Sequence, residues 1–143
     1  MTQVAFHFNA PAKVAYACRL LRKATSGGAK VVVTGDPELL RALDAELWTF
    51  SQLDFVAHAR AGAVPPAVLE RSPVVLAEST AQVPHRQVLV NLGDLVPEGF
   101  DTFDRVIEVV SNDDEDRAQA RRRWKRYTEL GYAIVRHDLA LDR

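Results

Sequence analysis

Six of the ten residues from 117 to 126, RAQARRRWKR, are arginine or lysine. The whole chain holds 18 basic and 19 acidic side chains, a formal charge of −1, so these cations form a local positive patch on a nearly neutral protein. Arg117, Arg121 and Lys125 recur every four residues and predict a basic row along one face of a helix. Ala120, Trp124, Tyr127 and Leu130 predict the apolar stripe that docks this helix on a core. Trp124 stands where the row and the stripe meet. An aromatic wall beside forked guanidinium groups suits a short ligand with an apolar end and a carboxylate. Two other readings fit the same residues. The arginines pair with nearby acids such as Asp113, Asp116 and Glu129 on a solvated face, or they grip nucleic-acid phosphates. Composition leaves all three open. A second aromatic group, Trp48, Phe50 and Phe55, surrounds a predicted helix end and supplies either core or a partner surface.

Other chemistry is hard to find. The seven glycines (27, 28, 35, 62, 93, 99 and 131) form neither a dinucleotide fingerprint nor a P-loop. The turn after the first predicted strand reads Asn9-Ala10-Pro11-Ala12, which gives a pyrophosphate no glycine-lined approach. His7, His58, His85 and His137 lie far apart, and Cys18 is the single cysteine, so no metal-ligand spacing emerges. Cys18 falls on an apolar helical stripe and reads as core. The run Asp113-Asp114-Glu115-Asp116 sits at a predicted helix start, where negative charge meets the helix dipole. The expectation is no catalytic residue, no metal and no cofactor.

These residues need a scaffold. A chain of 143 residues is one domain's worth, read here as a single domain over 1–143, and 48% hydrophobic with 26% charged residues excludes disorder. Strands are predicted at 3–8, 29–33, 54–58, 73–77, 87–92, 105–110 and 132–136. Helices are predicted from Pro11 to about Lys23, from Pro37 to Trp48 behind the cap Asp36, and over 113–130, closed by Gly131. Runs such as AKVVV and PVVLA suit strands covered on both faces. Alternation of strands with helices predicts α/β architecture, a three-layer Rossmann-like domain with a mostly parallel central sheet. The start MTQVAFHFNAP lacks a basic region and a long apolar run, and no membrane span is apparent, so a cytoplasmic location is expected.

Three segments together carry a family resemblance: LDAELWTF with FVAH (43–50, 55–58), QVLVNL (87–92), and RVIEVV followed by the ARRRWKRYTELGY run (105–132). With these, the chain resembles the chi subunit of bacterial DNA polymerase III holoenzyme, a clamp-loader accessory protein. The resemblance implies an α/β domain without a working nucleotide site and without catalysis. It implies binding of the acidic, phenylalanine-ended C-terminal tail of single-stranded DNA-binding protein, at Arg117, Arg121, Trp124 and Lys125; Arg136, on the final strand, falls where the family can have a small polar residue and is expected to add a further cation. It also implies a psi-like partner subunit at Trp48, Phe55 and Val56, with DNA contacted mainly indirectly. Trp124 stands where the family often has tyrosine, and Ala57 where it often has proline. Direct binding of single-stranded nucleic acid is the alternative.

Overall fold

A computed structural model describes residues 2–49 and 56–140. The described elements run β1 (Gln3–Ala10), α1 (Lys13–Ser26), β2 (Val31–Thr34), α2 (Pro37–Thr49), β3 (His58–Arg60), α3 (Pro66–Arg71), β4 (Val74–Ala77), β5 (Val88–Asn91), β6 (Arg105–Ser111), α4 (Asp114–Glu129) and β7 (Ile134–Asp138). The strands form one sheet in the order β3-β4-β2-β5-β6-β1-β7, and every pairing is parallel.

The continuous apolar runs explain the layers. β2, β4 and β5 are buried at every position. Successive side chains point to opposite faces. Val31, Val33 and Val90 therefore join a cluster with Cys18 and Leu21 of α1 and Leu43 of α2. Val32, Leu89 and Val106 join a cluster on the other side with Leu69 of α3 and Ala120 and Tyr127 of α4. The result is the expected three-layer Rossmann-like architecture. Burial holds the Cys18 thiol up at about 11, as befits a core residue. Among the described residues, no helix is long and apolar enough to cross a membrane.

The helix that carries the basic segment is fixed at both ends. The Asp113 carboxylate accepts from the Asp116 N–H at 3.0 Å, an N-cap. At the other end Gly131 takes φ +90°, and the Tyr132 N–H donates to the Tyr127 carbonyl at 3.1 Å. This closure needs a left-handed residue, and glycine adopts it without a Cβ clash. It turns the chain directly into β7.

Several expectations need correction. Asn9 and Ala10, expected in the turn after the first strand, belong to β1: Asn9 has φ +65°, at a register shift of β1 against β6, and donates to Asp138 Oδ1 at 2.8 Å. The strand expected at 54–58 runs instead over His58–Arg60, and residues 54 and 55 lie outside the described part. Leu130, expected on the buried stripe, sits at the C-cap of α4 and is exposed, while Arg123, not named on that stripe, is buried.

Candidate functional site

β1 lies between β6 and β7, so α4, which joins those two, crosses over β1. A cavity of about 390 Å³ opens beneath it, between α4, β1 and β7 and beside the C-terminal end of β6. Ligands of parallel α/β sheets gather at this end of the strands. Phe6 and Phe8 project from β1 toward α4, and the Phe6 and Trp124 rings lie 5.0 Å apart at 60°. In the register, Arg136 of β7 stands opposite Phe6 and so shares its face. Its Cζ lies 5.5 Å from the Phe8 ring centroid and 6.0 Å from that of Trp124. Arg117 and Arg121 line the α4 wall of the same cavity.

Four of the five predicted tail-site residues thus line one cavity: Arg117, Arg121, Trp124 and Arg136. Lys125 is exposed and does not line it. A helix turns about 100° per residue, so each four-residue step drifts about 40°, and two steps carry Lys125 about 80° away from Arg117. Among the described residues, no carboxylate pairs with Arg117, Arg121 or Arg136. Two acids named as neutralising partners are engaged elsewhere: Asp113 caps α4, and Asp116 meets Lys13 Nζ at 2.9 Å and the Ser111 N–H at 2.8 Å.

Asp116 ties the start of α4 to α1 at the cavity rim. Desolvation opposes its ionisation, but the Ser111 N–H and the Lys13 ammonium outweigh it and hold the carboxyl below its ordinary value. A depressed carboxylate stabilises the fold above its unfolded pKa and loses that contribution as pH falls through its folded value. Asp116→Asn is therefore expected to lower the urea midpoint at pH 7, by a difference that shrinks as pH falls below the ordinary carboxylate range.

Beneath the cavity lies a buried polar network. Glu108 on β6 is fully buried and accepts from Arg123 Nε at 3.0 Å, from the Tyr127 hydroxyl at 2.8 Å and from Asn91 Nδ2 at 3.0 Å. Arg123, 2% exposed, also donates to the Asp94 carbonyl at 3.1 Å. Burial pushes the Glu108 carboxyl up, and Arg123 with the hydrogen-bond donors pulls it partly back. This network locks the rotation of α4, and with it the side on which Arg117, Arg121 and Trp124 emerge.

Sequence comparison now bears on this geometry. The profile of the family described as DNA polymerase III chi subunit, HolC, matches residues 1–135. The chain belongs to the chi family. The DNA polymerase III subunit chi of Pseudomonas aeruginosa is 33% identical over 97% of this chain and 98% of its own length. That of Haemophilus influenzae is 28% identical over 82% of this chain and 81% of its own. Membership links this chi-family chain to DNA replication and the DNA polymerase III complex.

The second predicted surface of the chi-family chain is only partly formed as expected. Trp48, at the end of α2, is 62% exposed, its ring centroid 5.3 Å from that of His58. His58 bridges the Val56 carbonyl at 2.7 Å and the Asp44 carboxylate at 2.8 Å. Val56 is corrected: it is 4% exposed, packed in the α1–α2 core, and unavailable to a partner in this conformation. Phe55 lies outside the described residues. Sequence reasoning also missed Phe6, Phe8 and Asn9 as cavity residues, although the alternation in QVAFHF already put both phenylalanines on one face.

Proposed function

We propose that this chain is a non-catalytic accessory subunit of DNA polymerase III whose cavity receives the acidic, phenylalanine-ended C-terminal tail of single-stranded DNA-binding protein. The observation that carries this reading is the pairing of aromatic walls with three arginines that no carboxylate neutralises among the described residues. The terminal ring enters beside Trp124 and Phe6, the terminal carboxylate pairs with Arg121, and acids farther upstream meet Arg117 and, outside the cavity, Lys125. The exposed Trp48 offers a separate surface for a psi-like subunit. Together the two contacts tether a clamp loader to coated lagging-strand template. A short surface contact of this kind has a Kd of about 1 μM, roughly −8 kcal/mol, and many tails on one coated strand raise the avidity.

The test is titration of a short aspartate-rich peptide ending in phenylalanine, followed by calorimetry. Binding near the micromolar range is expected, weakening with salt as exposed charges are screened. Deleting the final phenylalanine is expected to remove most of it. A mobility shift with single-stranded DNA alone, combined with no response to the peptide, favours the direct nucleic-acid reading instead.

A further inference from the structure

We propose that Arg136 acts as a built-in stopper of the cavity, and that its displacement makes the site require an acidic group beside the aromatic ring it accepts. The inference rests on the reading of the cavity as a peptide receptor. The β1–β7 register places Arg136 on the face of Phe6 and Phe8, and its guanidinium lies over the Phe8 and Trp124 rings at 5.5 and 6.0 Å. It therefore occupies two of the aromatic surfaces against which an entering ring packs. Neither Arg117 nor Arg121 stacks on these rings. Arg136 is itself exposed and pairs with no carboxylate among the described residues, so the rings are what hold its head group. Each such contact at an exposed site shifts an equilibrium by a factor of about two to five. The stopper is thus firm enough to oppose entry and weak enough to be moved.

The chemistry of the entering group decides the balance. A neutral apolar ligand displaces the guanidinium from both rings and offers it no new partner. A ligand with a carboxylate next to its ring displaces the cation and then receives it: Arg136 joins Arg121 on that carboxylate, and the ion pair replaces the ring contacts. The ring and the acid are then coupled through one side chain. Removing that side chain has opposite effects on the two ligands, which a merely structural role does not produce.

The experiment uses two aspartate-rich peptides ending in phenylalanine, one with a free terminal carboxylate and one with a carboxamide, titrated into wild type, Arg136→Ser and Arg121→Ala. Wild type is expected to prefer the free acid by about a hundredfold, since two arginines each contribute about tenfold through the carboxylate. Arg136→Ser is expected to bind the free acid about five- to tenfold more weakly and the carboxamide about two- to fivefold more tightly. Arg121→Ala is expected to weaken the free acid, whose terminal carboxylate it pairs with, and to leave the carboxamide close to wild type, with no gain. Unchanged preference in Arg136→Ser, or equal weakening of both peptides, overturns the stopper and leaves the receptor intact. If wild type binds neither peptide, the receptor reading fails, and the stopper with it. Equal melting temperatures of wild type and Arg136→Ser confirm that the exposed strand β7 tolerates the change.

Discussion

Arg121→Ala is expected to weaken binding of the phenylalanine-ended acidic peptide by about tenfold at low salt. A hydrogen bond to a charged partner contributes about 1.5–3 kcal/mol, and the lower end applies because Arg121 is exposed and screened. Arg121 lines the cavity wall one turn beyond Arg117, and neither has a carboxylate partner among the described residues. Its loss therefore leaves no internal acid uncompensated, and the melting temperature is expected to stay within a degree or two of wild type. Lys125→Ala is the control. Lys125 is exposed and outside the cavity, so its replacement is expected to cost no more than about threefold, all of it at low salt. Equal affinity of wild type and Arg121→Ala, measured by calorimetry, sinks the assignment of the carboxylate to this wall.

Arg123→Met is expected to produce the largest loss of stability of any change in α4, about 3–5 kcal/mol. Breaking a buried ion pair from one side strands the other charge, here Glu108, in a fully buried site. The midpoint of thermal unfolding is expected to fall by on the order of 10 °C. The double variant Glu108→Gln with Arg123→Met removes both charges and keeps an amide carbonyl to accept from Tyr127 or Asn91. Replacing both members of such a pair is often close to neutral, so the double variant is expected to recover more than half of the loss. A double variant no more stable than Arg123→Met alone shows that Arg123 contributes by packing rather than by charge. Tail binding by the folded double variant reports separately whether the network sets the rotation of α4.

The scaffold was legible wherever one physical rule acted alone. The VVV of AKVVV read as a doubly covered strand because an unbroken apolar run leaves neither face a polar side chain to turn to solvent. Asp113 and Gly131 marked the ends of α4 because capping depends on a few neighbouring atoms. The site was legible to the extent that helical spacing governs it, which brought Arg117, Arg121 and Trp124 together but carried Lys125 too far round. Residues set by long-range pairing were not legible. Arg123 occupies the i+3 place of the stripe that begins at Ala120, and it was passed over because an isolated arginine is not a core residue. The signal was available in a second place: a lone glutamate, Glu108, inside the apolar strand RVIEVV. Reading the two together required knowing that α4 packs over β6. Phe6 and Phe8 likewise became cavity walls only because β1 lies beneath α4. Val56 looked like part of a partner surface, yet packing against α1 and α2 had already claimed it.

The position of β1 has a temporal consequence. Its neighbours in the sheet, β6 and β7, begin at residues 105 and 134. On the ribosome, residues 3–10 emerge about 95 residues ahead of β6 and farther still ahead of β7, and stay without either lateral partner until those follow. At common elongation speeds that wait is on the order of ten seconds. The cavity is therefore absent until β7 has closed against β1, a late step of chain growth. Chains released before residue 134 lack β7, and with it Arg136 and one wall of the cavity.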